Sequence, residues 1–392
     1  MIKTDDNTKC SGCGACYSIC PWNCISMVED KEGFLYPKVD TDSCVNCDLC
    51  EQTCPLNDKN NKKHGVVQSE IVQNKDLEIL QQSTSGGAFT PIARWVLERG
   101  GVVFGVGMDT DSYFVKHIKT EREEELNKFR NSKYVQSYVG DSFKDAKQEL
   151  QKGRLVCFSG TPCQIQGLKN YLCKDYENLI TVDVVCRGVP SPGVWKKYNS
   201  YLKQKGELRD IRFRDKSLGY QYSTMEVTYK DGKSDRNGIE SDYWLRMFFS
   251  GMILRPSCPT CNFRTIERCS DFTIWDCFNV SDLTKDLDET KGATRMLIHT
   301  KRGQEIFNEI KDDFYVVDAD VKTVAVGITE TSSLNKRKDE FIENYNEMPM
   351  EELLDKWFPM TYKVKIKKFA RRILNVIGLD MLVKKLKRKI RG

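Results

Sequence analysis

Histidine is scarce in this chain: His64, His117 and His299 are the whole supply in 392 residues. That argues against a histidine-rich metal centre and against chemistry carried by several imidazoles. Long apolar runs are missing too, so no membrane span is predicted. No apolar core follows Met1-Ile-Lys-Thr-Asp-Asp, so no secretory leader is expected. Low-complexity tracts are absent, and the only internal repeat is a duplicated cysteine pattern. Cysteine itself is plentiful, with seventeen residues. Without a secretory signal these point to the reducing cytosol, as metal ligands or plain thiols.

The duplicated pattern is Cys10-x2-Cys13-x2-Cys16-x3-Cys20-Pro21 and Cys44-x2-Cys47-x2-Cys50-x3-Cys54-Pro55. This is the run used by two-cluster bacterial ferredoxins, in which the fourth cysteine of each run serves the other cluster. Three thiolates at three-residue intervals wrap one cube; the fourth lies a turn further on and faces away. Cys10, Cys13, Cys16 and Cys54 are therefore expected to hold one [4Fe–4S] cluster. Cys44, Cys47, Cys50 and Cys20 are expected to hold the other. Zinc sites stop at four ligands, and disulfides would not explain eight thiols in duplicate. Cys24 lies outside the pattern and reads as a small buried hydrophobe.

The chain is too long for a ferredoxin alone and predicts several units. Residues 1–56 form the cysteine unit, with a short strand pair in 33–40, and residues 57–66 read as a polar linker. From Val67 to about 190, helical and strand patterns alternate, which favours α/β architecture with a largely parallel sheet. Residues 191–345 look like a more mixed α+β part. Residues 346–392 form a tail.

Ser159-Gly-Thr-Pro-Cys163 turns from a strand into a helix. Free N–H groups and the helix dipole there favour thiolate, making Cys163 a candidate ligand or nucleophile. Cys186 occupies the corresponding loop after the next strand, and Cys258-x2-Cys261 is a further pair. Together these four could hold a third [4Fe–4S] cluster; a four-thiolate zinc site, a Cys258–Cys261 redox disulfide or unconnected buried thiols are the alternatives. Ser83-Thr84-Ser85-Gly86-Gly87 precedes a helix and reads either as an anion cradle for a flavin or nucleotide phosphate or as a simple N-cap. Asn131-Ser-Lys133-Tyr134-Val-Gln136 offers a cation, an aromatic face and amides suited to an isoalloxazine, or a surface loop.

Thr84-Ser-Gly-Gly, Ser132-Lys-Tyr-Val, Gly160-Thr-Pro-Cys-Gln, Cys186-x-Gly-Val-Pro-Ser-Pro, Arg255-Pro-Ser-Cys-x-x-Cys and Asp271-Phe-Thr-Ile, in this order, resemble the coenzyme F420 hydrogenase/dehydrogenase beta subunit family. The resemblance runs from about residue 70 to 345, with the two-cluster unit fused in front. It implies that residues 67–190 and 191–345 are the two parts of an iron–sulfur flavoprotein body. It also implies a third cluster on Cys163, Cys186, Cys258 and Cys261, and FAD held by Ser85, Gly86, Gly87, Lys133 and Tyr134. Electrons from ferredoxin or a similar donor would pass through clusters and FAD to a hydride acceptor, coenzyme F420 or a sugar-linked intermediate of surface polysaccharide biosynthesis. The other class of function is an electron-transfer subunit relaying electrons to a partner enzyme. Arg187 stands where the family commonly has His, and Asn131 where Gly is usual. Trp275-Asp276-Cys277-Phe278-Asn279 replaces a Gly-Asp-Phe-Trp-Gly run. Asp276 is the candidate general acid.

Residues 363–392 carry twelve Lys or Arg against one acid, Asp380, leaving the rest of the chain net acidic. Ile366, Phe369, Ile373 and Val376 share one helical face; Leu382, Val383, Leu386 and Ile390 share another after an Asp380 N-cap. Such segments lie in the interface of anionic membranes, apolar side down; a basic helix docked on the body and a nucleic-acid arm are the alternatives. The expectation is a cytoplasmic protein, peripheral on the inner membrane face, with no nucleic-acid partner.

Overall fold

The fold was obtained as a computed structural model that describes residues 1–2, 6–57, 62–109, 111–278 and 280–376, side chains of 7, 375 and 376 excepted. Each cysteine run curls into a five-residue helix, Ala15–Ile19 or Leu49–Thr53. Gly14 and Asp48, both left-handed, turn the chain into these helices, and Cys20 and Cys54 leave them in extended backbone. The prolines that follow forbid another helical turn, because each pushes its preceding residue out of the α region. Between the runs, β1 (Ile25–Glu29) pairs antiparallel with β2 (Leu35–Val39). The expected strand pair in 33–40 supplies only β2; its partner lies upstream, where Ser26, Met27 and Glu29 blur the alternation.

The body is built on one eight-stranded sheet. Its strands are β3 (Gln68–Asn74), β4 (Val102–Met108), β5 (Val115–Thr120), β6 (Val156–Gly160), β7 (Leu179–Val184), β11 (Phe272–Cys277), β12 (Ala293–Ile298) and β13 (Phe314–Asp318). The order is β13-β3-β12-β11-β7-β6-β4-β5. Only the centre, β11-β7-β6-β4, is parallel; β5, β12, β3 and β13 pair antiparallel. The largely parallel sheet expected from the alternation is thus a mixed one. The short link from β4 to β5 returns the chain beside itself, which only antiparallel pairing allows. The sheet also draws strands from both sides of residue 190.

Alternation along the central strands sorts side chains to two faces. Val103 and Cys157 pack with Ile92, Val96, Ile306 and Phe307, from the helices Phe89–Leu97 and Lys301–Ile310. Phe104, Val156 and Phe158 pack the other way, against Phe143, Ile165 and Leu168 of the helices Ser142–Gln151 and Pro162–Leu172. Cys13 and Ala15 join this second layer, so the cysteine unit is seated on the body.

A smaller sheet, β8 (Leu208–Asp215), β9 (Thr224–Tyr229) and β10 (Ser234–Gly238), is antiparallel. It shares a core with Trp195, Tyr198, Trp244, Phe341, Leu353 and Phe358. Residues 346–358 are therefore partly core rather than a free tail. The helix Tyr362–Val376 follows. Leu382, Val383, Leu386 and Ile390, the Asp380 cap and linker residues 58–61 lie outside the described residues. The described end of the linker is pinned: the His64 N–H donates to Arg268 O at 2.7 Å.

Candidate functional site

Cys20, Cys44, Cys47 and Cys50 line one open cavity, together with Trp22, Cys24 and Met1. The Ile2 N–H donates to Cys50 Sγ at 3.3 Å. Cys24 Sγ lies 3.3 Å from Cys20 Sγ, so this residue is buried as expected and is also a fifth thiol of the cavity. The other four thiols gather deeper. Burial, with Cys10 and Cys54 nearby, pushes the Cys16 thiol up to about 12. Burial also raises Cys13, with Cys16, Cys163 and Cys54 adding to it. Among the described residues no three His, Cys, Asp or Glu close on a single ion position. A cube needs a wider cradle than an ion, because it spreads four thiolates over its corners.

The structure also brings Cys163, Cys186, Cys258 and Cys261 together. The Arg255 N–H donates to Val189 O at 3.0 Å, and Pro190 bridges Leu254, which lays the Cys186 loop along the segment entering Cys258. Cys163 lies in the first turn of the Pro162–Leu172 helix, behind a Thr161–Gln164 capping box. The helix N-terminus was expected to favour thiolate there. Instead burial, followed by Cys261, pushes Cys163 up to about 12. Burial and then Cys258 and Cys163 raise Cys186 likewise. Desolvation and mutual repulsion outweigh a helix-end effect confined to one turn. Thiols that burial keeps neutral and that oppose one another's ionisation become a set of thiolates only around a cationic centre, which fits a metal cluster. The same helix serves both sites: a methyl group at Gly167 would stand 3.1 Å from Cys13 Sγ.

The two flavin motifs lie side by side. Thr84 Oγ1 and Ser132 Oγ are 3.0 Å apart, and the Ser132 N–H donates to Thr84 Oγ1 at 2.6 Å. The helix that follows starts from Ala88 with no side-chain cap, so Ser83–Ser85 do not form its N-cap. Nor are Ser85 and Gly86 an open cradle. The Ser85 hydroxyl pairs with Thr294 Oγ1 at 2.9 Å, and the Gly86 N–H donates to the same oxygen at 2.8 Å. A Cβ on Gly86 would sit 2.4 Å from Val72 O, so glycine is required there for packing against β3. Gly87 is left-handed beside Asn74.

Around these loops stand four cations. Lys133 Nζ donates to Lys128 O and Arg130 O, and burial pulls it down to about 7. Lys216 Nζ donates to Leu80 O, Ser85 O and Lys291 O, and burial likewise lowers it to about 7. Arg212 donates to Gln82 O at 3.0 Å. Arg214 donates to the Tyr134 hydroxyl at 3.0 Å and pairs with Asp276 Oδ2 at 3.3 Å, while its Nη2 is buried without a hydrogen-bond partner. Tyr220 donates to the other Asp276 oxygen at 2.8 Å. Both Asp276 oxygens thus act as acceptors, so the residue is not placed as a proton donor in this arrangement. Arg212, Arg214, Lys216 and Tyr220 are additions to the residues expected here. The signal for the cations was the spacing Arg212-x-Arg214-x-Lys216, two on alternate positions of β8 and the third just past its end.

Two stretches of the chain match known families. Residues 9–57 match the 4Fe-4S dicluster domain. Residues 153–323 match the carboxy-terminal region of the coenzyme F420 hydrogenase/dehydrogenase beta subunit. An uncharacterized protein of Methanocaldococcus jannaschii is 23% identical over 85% of this chain and 96% of its own length. The coenzyme F420-dependent sulfite reductase of that organism is 25% identical over 78% of this chain, which spans only 46% of it. A chain of the F420-reducing [NiFe] hydrogenase complex from Methanosarcina barkeri aligns over 72% of this chain and 94% of its own, at 16% identity and a TM-score of 0.46.

Proposed function

Because the chain joins a 4Fe-4S dicluster domain to a region of the F420 hydrogenase/dehydrogenase beta-subunit type, we propose that it is an iron–sulfur flavoprotein oxidoreductase with three [4Fe–4S] clusters and FAD. The observation that carries this is the gathering of Cys186, Cys258 and Cys261 around Cys163, on the helix that also seats Cys13. When bound, cubes exchange single electrons and a flavin holds one or two, which couples one-electron input to hydride output.

The chain's own groups divide the work. The eight amino-terminal thiols hold two cubes, and the four body thiols hold the third. Lys133, Arg212, Arg214 and Lys216 supply positive charge for the FAD diphosphate, and the buried Arg214 Nη2 is an unfilled donor of the kind an anionic ligand satisfies. Ser85, Gly86 and Gly87 shape the loop beside it, and the Tyr134 ring contributes an aromatic wall. Asp276 accepts from Arg214 and Tyr220 and orients both, so the proton for the reduced product is assigned to the Tyr220 hydroxyl. The hydride acceptor is coenzyme F420 or a sugar-linked intermediate of polysaccharide synthesis. Reduced ferredoxin is the donor.

The helix Tyr362–Val376 extends the reading to a membrane face. Lys368 donates to Asn237 Oδ1 at 2.5 Å and Arg371 pairs with Glu240 at 2.5 Å, so part of its basic side holds the body. Ile366, Phe369 and Ile373 point outward, exposed, between Lys363, Lys365 and Lys367, an arrangement that suits anionic lipid. Among the described residues no helix is long and apolar enough to cross a membrane. Liposome flotation checks the contact; equal recovery after deletion of 363–392 ends it.

Anaerobic purification with iron, flavin and EPR analysis tests the core reading. About twelve irons per chain with bound FAD support it, at about four per cube; about eight irons with no flavin overturn the third cluster and FAD. That second outcome would favour a relay subunit serving a partner enzyme, a reading supported by the chain's spanning less than half of the sulfite reductase relative.

A further inference from the structure

Arg255 is fully buried, yet no carboxylate pairs with it among the described residues. Its Nε donates to Cys10 O at 2.7 Å, Nη1 to Gln136 Oε1 at 2.9 Å and Nη2 to Leu35 O at 3.1 Å. Nη2 also lies 3.7 Å from Cys10 Sγ. The guanidinium stands 4.2 Å from the Tyr36 ring centroid and 5.2 Å from that of Phe34. Carbonyls, an amide and ring faces satisfy its donors without balancing its charge. A charge taken out of water without an opposite charge is strongly disfavoured. Anionic charge nearby can assemble at the thiol cradle that begins at Cys10, which the guanidinium touches, and at Cys163 and Cys258 of the body set.

The surroundings are shaped for this contact. Gly12 has φ +68°, and a Cβ there would come within 2.7 Å of Arg255 Nη1, so only glycine lets the cysteine loop close over the guanidinium. Gln136 Nε2 donates to Ser11 O at 2.9 Å and Ser257 donates to Cys10 O at 2.9 Å, fixing the loop from both sides. Arg255 O in turn accepts from the Cys258 N–H at 3.0 Å, so the residue stands between Cys10 and the body thiols. The second cradle has a different field. Beside it lie Asp48 and Glu51, which share the Met1 ammonium at 2.6 and 3.2 Å.

We propose that Arg255 is the built-in counter-charge of the cluster on Cys10, Cys13, Cys16 and Cys54, and that it holds this cluster's reduction potential above that of the cluster on Cys20, Cys44, Cys47 and Cys50. The inference rests on the two-cluster reading of the amino-terminal unit. A positive charge and an N–H···S contact both stabilise the more negative, reduced form of a cluster. The cradle facing the body therefore has the higher potential, and the outer one the lower, which sets the direction from rim to body. Arg255 is a positioning residue in this sense, acting on the cluster through Cys10.

The test is an anaerobic potentiometric titration of the full-length holoprotein, followed by EPR. In Arg255→Gln the potential of one amino-terminal cluster moves negative while the other stays put, at unchanged iron content. Arg255→Lys, which keeps the charge and loses the fork, gives a smaller shift. Should Arg255→Gln lose iron, Gln136→Glu places a carboxylate against the guanidinium and is expected to give the same selective negative shift. Unmoved potentials in iron-replete variants, or equal shifts of both clusters, overturn the assignment. Fewer than two amino-terminal clusters in the unmodified protein would defeat the two-cluster reading as well, whereas two clusters with unmoved potentials defeat only the role of Arg255.

Discussion

The two cysteine runs have the same spacing and sit in opposite surroundings. The cradle of Cys10, Cys13, Cys16 and Cys54 is seated on the Pro162–Leu172 helix through Cys13 and Ala15, with Arg255 closing it. That of Cys20, Cys44, Cys47 and Cys50 lies at the rim, where Cys47 is exposed and Trp22 and Val45 stand 60% and 53% open. Spacing decides what a run can bind; what the cluster can exchange electrons with is decided by what covers it. The inner cradle faces the body thiols and the outer one faces whatever arrives from solution.

The sharpest way to break this comparison is to remove one thiol from each side. Cys13→Ser and Cys47→Ser should each lose one cube, about four irons per chain by metal analysis. They should differ in the rest. The Cys13 variant also disturbs a buried contact with the body helix and lowers the melting temperature of the body, whereas the Cys47 variant leaves it nearly unchanged. Equal melting shifts would mean that the inner cradle is no more part of the body than the outer one.

A smaller effect is expected at the cation cluster, far from either cradle in sequence. Asp276→Asn removes the charge that balances buried Arg214 while keeping an acceptor for Tyr220. Leaving a buried charge unpaired costs about 3 kcal/mol or more when the pair is fully enclosed; Asp276 is partly open, so about 2 kcal/mol is expected in denaturant unfolding. Iron content should not change, and flavin retention should fall, which separates this site from the cradles. Loss of iron in parallel with flavin would contradict that separation.

These contrasts also mark what could be read in advance. The cysteine runs were legible because a cube's ligands come from local curls of the chain, and the strand–turn–helix around Cys163 was legible for the same reason. The cradle's surroundings were not. Arg255 meets Cys10 across 245 positions, and no local period announces such a contact. The sheet was half legible: buried apolar runs revealed β4, β6 and β7, but their antiparallel neighbours depend on which loops return beside their own strand. The flavin loops were seen as motifs and misjudged in detail. Of the hydroxyls read as an anion cradle, Ser85 is held by Thr294 and Thr84 by Ser132, and the added cations Arg212, Arg214 and Lys216 come from more than 120 positions further along the chain.

Weaker still is the steric test of the shared helix. Gly167→Ala brings a methyl group to 3.1 Å from Cys13 Sγ and 3.2 Å from its Cβ. Overpacking of this kind costs about 1–3 kcal/mol, and the low end applies, because the short Ala15–Ile19 helix can shift by a few tenths of an ångström. The EPR signal of the inner cluster should change while that of the outer one does not. Identical spectra for both would show that the helix touches the cradle without constraining it.

The smallest effect on the fold is expected at the rim. Trp22 is exposed and lines the outer cavity, so Trp22→Ala should change stability by no more than about 0.5 kcal/mol. Exposed aromatics at a rim are nonetheless strong anchors for a docking protein. Reduction of the clusters by reduced ferredoxin should therefore slow several-fold in stopped flow, with the rate from a small chemical reductant unchanged. The Arg255→Gln variant should behave the other way round, admitting electrons at the normal rate and failing to hold them on the inner side. If the rim substitution slowed both reductants alike, access to the cluster rather than protein docking would be what Trp22 controls, and the outer cradle would lose its claim to be the port.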